Sequence, residues 1–153
     1  MIESATILVA DDSSDDIEIL KRAFQEAGLN NPITSVSSGD EAIEFLQRGE
    51  QGSGSDQACP LLMLLDLNMP GSTGFSVLDW LRRQPNLRSL PTIVWSNSDQ
   101  PADIENCFRL GAHGYWIKPS RFEDLVKMIT RLKELLVQIV RKLDPELPAS
   151  VPA

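Results

Sequence analysis

Residues 61–70 read LLMLLDLNMP, and this stretch decides the fold. Five apolar residues run without a break into one acid, Asp66, and a turn containing proline follows at once. An apolar run of this kind is typical of a strand buried on both faces, as in a parallel sheet. We therefore expect Asp66 at the carboxyl end of a buried strand, which is the edge where open α/β sheets bind their ligands.

Strand-like and helix-like segments alternate on both sides of this run. The strand-like runs cover residues 5–10, 32–37, 61–65, 91–96 and 114–117. The second run is the most polar and is expected nearer an edge of the sheet, and apolar residues at helical spacing fill the segments between the runs. Five β/α units in this order predict one α/β domain, a five-stranded parallel sheet with helices on both faces.

The composition excludes several classes of function. A formal net charge of -8 over 153 residues argues against nucleic acid and against a membrane surface as direct partners. The chain has no apolar run near the roughly 20 residues that span a bilayer, and no basic segment that would indicate a signal peptide. Cys59 and Cys107 lack metal-ligand spacing and are expected as thiols in the cytoplasm. A single histidine, His113, excludes a site built from several histidines.

The last helix is unusually long. Its apolar residues follow an unbroken spacing of three and four: Phe122, Leu125, Ile129, Leu132, Leu136, Ile139 and Leu143. About 24 residues at helical rise give roughly 36 Å, more than such a sheet needs for cover. Two interpretations stay open: a helix that packs on the sheet with a frayed end, or a protruding end that forms a homodimer or meets a partner. We expect one domain over residues 1–143 and a flexible tail over residues 144–153.

Polar residues gather where the expected strands end. Asp11 and Asp12 end the first strand, Asp66 the third, Ser96 the fourth and Lys118 the fifth. Three carboxylates on one rim would repel each other, and a divalent cation removes that repulsion. Oxygen ligands in small number suit Mg²⁺, which shares its shell with water and phosphate.

This set of residues predicts phosphoryl transfer to a carboxylate. Aspartate is a known covalent acceptor of phosphate, and such transfer depends mostly on positioning and charge stabilisation. Asp66 would attack the phosphorus, Lys118 would balance the added charge, and Ser96 would donate a hydrogen bond.

From about residue 7 to residue 136 the chain resembles a response-regulator receiver domain. The matching motifs are VADD at 9–12, LDLNMP at 65–70 with Gly74, PTIVWS at 91–96, Gly111-Ala112, and YWIKP at 115–119. Five separated signals in the right order make the match specific. The resemblance implies a flavodoxin-like fold with strand order 2-1-3-4-5, Mg²⁺ as cofactor, and phosphorylation by a sensor histidine kinase. The long loop, the long last helix and the SNS triplet at 96–98 are similar to small stand-alone regulators that serve phytochrome kinases.

The resemblance also assigns roles to the acidic residues. Asp66 matches the phospho-acceptor of the family. Asp11 and Asp12 match the pair that holds Mg²⁺, Asp12 the more directly, and the backbone carbonyl of Asn68 matches the remaining protein ligand. In this account the chain is a signalling receiver rather than an enzyme, and it catalyses only its own phosphorylation and dephosphorylation.

Three further residues match the family's switch. Ser96 matches the switch hydroxyl, Tyr115 the switch aromatic, and Lys118 the lysine that contacts the phosphate. The family's behaviour implies that Ser96 moves toward the phosphate and that Tyr115 turns inward behind it. Ser96 as an ordinary strand-end serine and Tyr115 as core packing remain the plainer alternatives.

Plainer roles exist for other polar residues too. Asp11 and Asp12 could cap the first helix, and one of them is expected to do so as well as hold metal. Asp15 and Asp16 are interpreted as solvated acids at a helix start, favoured by the helix dipole. His113 is expected in a surface loop without a phosphodonor role.

The chain departs from the commonest family pattern at three places. Asn97 follows Ser96 where a very small residue is usual, so access to Asp66 is expected to be partly screened. Trp95 replaces an aliphatic residue, to fill the core or to show on a face. The loop from residue 50 to residue 60 is long for this fold.

Two other functions compete with the receiver interpretation. A receiver-like module that binds partners without phosphate would usually have lost the acceptor, the lysine or the acidic pair, and all are present here. A phosphatase or dehalogenase with an aspartate nucleophile usually needs a second acid two residues on, where this chain has Asn68.

Overall fold

The computed structural model describes residues 5–50 and 59–143, without the side chains of residue 50 and residues 139–143. The five strands are β1 (Ile7–Ala10), β2 (Ile33–Val36), β3 (Leu62–Leu65), β4 (Thr92–Ser96) and β5 (Gly114–Ile117). The five helices are α1 (Ser14–Glu26), α2 (Gly39–Glu50), α3 (Gly74–Arg82), α4 (Pro101–Arg109) and α5 (Phe122–Leu143).

The strands form one parallel sheet in the order β2-β1-β3-β4-β5. This confirms the predicted fold class and strand order. The polar second strand, β2, lies at an edge, while β1, β3 and β4 are buried along their whole length. The apolar runs that predicted buried strands therefore occupy the centre of the sheet, where both faces are covered.

Alternation along the strands divides the core into two layers. In β1, Ile7 and Val9 pack on one face of the sheet with residues of α1 and α5. Leu8 and Ala10 point to the other face, where they pack with residues of α2, α3 and α4. Side chains that alternate with period two on a sheet covered on both faces produce this division.

Helix α5 packs on the sheet through the predicted stripe. Leu125, Ile129, Leu132 and Leu136 are at most 3% exposed and lie in the layer shared with α1. The helix continues for seven residues beyond Leu136, about 10 Å at helical rise. The side chains of Ile139 and Leu143 lie outside the described residues, so the expected pairing of this end stays a prediction.

Two expectations about loops fall largely outside the described part of the chain. Helix α2 continues to Glu50, so it takes in the first residue of the long loop expected at residues 50–60. Residues 51–58 and the expected flexible tail 144–153 are not described. Within the described ranges, no helix has both the length and the apolar character needed to cross a membrane.

Candidate functional site

Backbone hydrogen bonds place the acidic residues and the lysine at one edge of the sheet. The amide of Asp66 donates to the carbonyl of Ala10 at 2.9 Å, and the amide of Asp11 donates to Val36 at 3.0 Å. The amide of Lys118 donates to the carbonyl of Ser96 at 2.7 Å. Each residue thus extends a parallel ladder just beyond a strand end, so their side chains converge at the carboxyl edge.

Three carboxylates form a compact acidic cluster at this edge. Oxygen atoms of Asp11, Asp12 and Asp66 all lie within 4.8 Å of one another. Asp11 is fully buried and Asp66 is 5% exposed, while Asp12 is open to solvent. A set of hard oxygen donors with one open side suits a divalent cation such as Mg²⁺ or Mn²⁺, and the cation would offset the repulsion among the carboxylates.

Lys118 connects three carboxylates. Its Nζ atom lies 2.8 Å from Oδ2 of Asp11, 2.8 Å from Oδ2 of Asp16 and 3.3 Å from Oδ2 of Asp66. An ammonium group has three N–H donors, so this arrangement engages all of them. The lysine side chain is 7% exposed, which strengthens these charge-assisted contacts relative to a surface pair.

Asp16 corrects one expectation from the sequence. Its position in the sequence predicts a solvated acid at the start of α1, yet its carboxylate binds Lys118 and its side chain is only 33% exposed. The reason is local: Ser13 caps α1 by accepting a hydrogen bond from the Asp16 amide at 3.2 Å. The cap fixes the first turn beside the rim, where Asp16 reaches the lysine. Asp15 is exposed, as expected.

Asp11 also supports the start of α1. Its Oδ1 accepts a hydrogen bond from the amide of Ser13 at 2.9 Å. The expectation that Asp11 or Asp12 caps α1 is therefore wrong, because Ser13 is the capping residue and Asp11 instead binds the amide of Ser13. Asp12, whose side chain faces solvent, is left open for a ligand from outside.

Burial dominates the electrostatics of Asp66. The pKa of Asp66 is raised to about 6, mainly by desolvation; the attraction of Lys118 opposes this rise, and the nearby charge of Asp11 contributes to it. Desolvation acts to lower the pKa of Lys118, but the pKa is raised because hydrogen bonds to Asp11 and Asp16, together with the charges of Asp11 and Asp66, outweigh this effect. The protein thus holds a carboxylate in a setting that disfavours its charge, which is the kind of site where function is often found.

Ser96 and Tyr115, the residues expected to switch, both contact the loop that follows β4. Ser96 is fully buried, and its Oγ accepts a hydrogen bond from the amide of Ser98 at 3.1 Å. Tyr115 is half-buried on β5, and its hydroxyl donates to the carbonyl of Ser98 at 2.7 Å. Burial raises the pKa of Tyr115. Both residues hold the same loop after β4, so a movement of that loop would affect both.

Asn68, Asn97 and His113 are all exposed at the surface. The amide of Asn68 donates to Oδ1 of Asp66 at 3.3 Å, while its side chain is exposed. Asn97 is exposed in the loop after β4. His113 is exposed near the amino end of β4, where its Nδ1 accepts a hydrogen bond from the amide of Thr92 at 3.1 Å. His113 is therefore at the opposite edge of the sheet from Asp66.

Trp95 makes two contacts in the site that its position in the sequence does not predict. Its indole Nε1 donates to Oδ2 of Asp11 at 2.9 Å, and the ring lies near Lys118. The one signal in the sequence was an aromatic residue with a polar group placed one residue before a strand end.

A model of the response regulator receiver domain matches residues 7–130 of this chain. The chain belongs to the response regulator receiver domain family. The match covers all five strands and reaches into α5, so the family includes every element that supplies a side chain to the acidic cluster.

Relatives of this receiver domain occur in organisms as different as Methanothrix harundinacea, Arabidopsis thaliana and Synechocystis. The response regulator Rcp1 of Synechocystis is 28% identical over 88% of this chain and 90% of its own length. The structure of its Mn²⁺-bound form covers 97% of this chain and 99% of Rcp1, with a TM-score of 0.73 and 26% identity.

Two further solved structures are similar to this receiver domain. RPA3017, a response regulator in red light signalling of R. palustris, is 31% identical, with a TM-score of 0.79 over 86% of this chain and 92% of that one. The phosphorylated cyanobacterial phytochrome response regulator RcpA is 26% identical, with a TM-score of 0.76 over 96% and 99% of the two chains. Homologues of this receiver domain thus include phytochrome-associated response regulators.

Proposed function

We propose that this receiver accepts a phosphoryl group on Asp66 from a sensor histidine kinase, with Mg²⁺ as cofactor. The observation that carries the proposal is the convergence of a buried aspartate, two further carboxylates and a lysine at one sheet edge. The phosphorylated and Mn²⁺-bound relatives support the same chemistry. Phytochrome-associated homologues make a phytochrome-type kinase the favoured donor, and we place the exchange in the cytoplasm.

Asp66, Lys118 and Ser96 would each have a separate role in the phosphoryl transfer. A carboxylate oxygen of Asp66 would attack the phosphorus as the bond to the donor nitrogen breaks, which leaves an acyl phosphate on Asp66. Lys118, already 3.3 Å from Oδ2 of Asp66, would turn one N–H toward a phosphoryl oxygen and offset its charge. The buried hydroxyl of Ser96 is available to donate to another phosphoryl oxygen.

The metal would be held by Asp11, Asp12, Asp66 and the backbone carbonyl of Asn68. A bound Mg²⁺ would offset the negative charge that gathers at the acceptor during the transfer. Asp12 presents the open side of the cluster to solvent, so the cation can enter while Asp11 stays anchored by its hydrogen bonds.

The direct test is the intact mass of the protein after incubation with phosphoramidate and Mg²⁺. We expect the wild type to gain one phosphoryl group and Asp66→Asn to gain none. Asp99→Asn, which changes an exposed aspartate after β4, is the matched control and should behave like the wild type. A wild type that stays unmodified with small-molecule donors and with a histidine kinase would contradict the proposal and favour the phosphate-independent binding module.

We further propose that the end of α5 pairs two copies of the receiver. The stripe that packs on the sheet reaches Leu136, and the same spacing continues to Leu143. Leu135, 38% exposed, adds apolar surface near the last described side chains. A pair of helices that extend beyond the domain can bury such residues against each other.

Light scattering tests this pairing. A chain that ends after residue 136 should give the mass of a monomer, because the proposed seam is removed. A chain that ends after residue 143 loses only the tail and should keep the mass of a dimer. Equal masses for the two truncated proteins would contradict pairing through α5.

A further inference from the structure

Trp95 is a large aromatic residue in the centre of the sheet, and its polar group has one specific partner. The residue lies on β4 and is 3% exposed, in the core layer beneath α1 and α5. A buried indole N–H needs an acceptor, because leaving it without one costs free energy. Here the acceptor is Oδ2 of Asp11 at 2.9 Å.

Asp11 is held by three donors at fixed positions. Its Oδ1 accepts from the amide of Ser13, while its Oδ2 accepts from Trp95 and from Lys118 at 2.8 Å. The amide and the indole donate hydrogen bonds to different oxygens of this fully buried carboxylate. Rotation of the carboxylate would break both contacts, so these two rigid groups fix its plane.

The same tryptophan also contacts the lysine of the site. Nζ of Lys118 lies 5.2 Å from the centroid of the Trp95 ring, within the range of a cation–π contact. Trp95 thus touches both the buried acid and the ammonium group that neutralises it. An aliphatic residue at this position would fill space but would supply neither contact.

We propose that Trp95 is a positioning residue that orients Asp11 and Lys118 for metal binding. The inference rests on the proposed function, since it concerns how the acidic cluster receives Mg²⁺. Trp95 acts through Asp11, the acid for which it supplies a hydrogen bond from outside the cluster. Groups that orient metal ligands in this way contribute strongly to affinity, and their loss typically weakens binding about 10- to 100-fold.

The first test examines the hydrogen bond without metal. In the nitrogen-15 NMR spectrum of the metal-free protein, the indole N–H of Trp95 should exchange slowly with solvent. Asp11→Ala should shift this resonance far more than those of Trp80 and Trp116, which are only partly buried. A Trp95 resonance that Asp11→Ala leaves in place would overturn the proposed contact.

The second test measures Mg²⁺ affinity by calorimetry. Trp95→Phe keeps an aromatic ring but removes the N–H, and we expect it to weaken Mg²⁺ binding about 10-fold or more. Trp116→Phe, on the neighbouring strand β5 and against the same core layer, is the matched control and should bind as the wild type does. Thermal melting of both variants without Mg²⁺ shows whether each is folded and separates lost packing from lost affinity.

The outcomes distinguish failure of the proposed function from failure of the positioning role of Trp95. A wild type that binds no Mg²⁺ contradicts the proposed function itself. A wild type that binds Mg²⁺, with a folded Trp95→Phe of unchanged affinity, overturns the positioning role while leaving the proposed function intact. Weaker binding in Trp95→Phe alone supports the inference.

Discussion

Gly74→Ala is expected to destabilise this receiver by about 3 kcal/mol, the upper part of the range for overpacked sites. A Cβ atom on Gly74 would lie 2.4 Å from the backbone oxygen of Asp66 and 2.8 Å from Cα of Leu67. Backbone cannot rotate away from such a contact as a side chain can. The first turn of α3 or the end of β3 must therefore move, and Asp66 with it.

Urea unfolding followed by tryptophan fluorescence measures the effect of Gly74→Ala. Gly114→Ala is the matched control, because a Cβ there would meet only the Ile93 side chain, at an ordinary 3.5 Å. We expect the control to unfold at nearly the wild-type urea concentration. Similar midpoints for the two variants would show that α3 does not approach the acceptor strand as closely as described.

Asp66→Asn is expected to stabilise the metal-free protein at pH 7 by up to about 3 kcal/mol. Burial raises the pKa of Asp66 from 3.8 to about 6, so folding favours the protonated acid. That stabilising contribution is fully present below about pH 4 and is lost as the pH rises through 6. An asparagine carries no charge and avoids the loss, while Lys118 keeps its closer partners Asp11 and Asp16.

The free energy of unfolding of wild type and Asp66→Asn should be compared from pH 3.5 to pH 7.5. The two curves should run together at the acid end and separate between about pH 4 and pH 6, with the variant above. Asp99→Asn, at an exposed position, should follow the wild type. Saturating Mg²⁺ should reduce the difference in the free energy of unfolding between the two proteins. A ligand stabilises the folded state to which it binds, and the wild type keeps the Asp66 carboxylate as a metal ligand. A variant less stable than the wild type at pH 7 would refute this account.

The sheet and the rim could be predicted because they depend on backbone pattern. A buried apolar run predicts a central strand, and the residue that follows it must lie at the carboxyl edge. The order of residues along the chain is therefore enough to predict that Asp66 and Lys118 lie at the carboxyl edge of the sheet. The acidic pair followed in the same way, because Asp11 directly follows β1.

The contacts of Asp16 and Trp95 could not be predicted in the same way, because they depend on side-chain direction. Asp16 reaches Lys118 only because the Ser13 cap sets where α1 begins. Trp95 on β4 reaches Asp11, which follows β1, across the intervening strand β3, and the two residues are 84 positions apart in the chain. Spacing along the chain carries no information about which rotamer closes such a distance.

All three N–H donors of Lys118 are already engaged, and this limits how the site can bind a further anion. With each N–H directed at a carboxylate, a phosphoryl oxygen can be bound only if one of the three acids is released. Asp16 is the most exposed of them, so water can replace the lysine there at the smallest cost. Release of Asp16 from Lys118 would remove the ion pair that links the first turn of α1 to the residue after β5. The amino end of α1 would then sense occupancy of the acceptor, on the side of the molecule away from Tyr115.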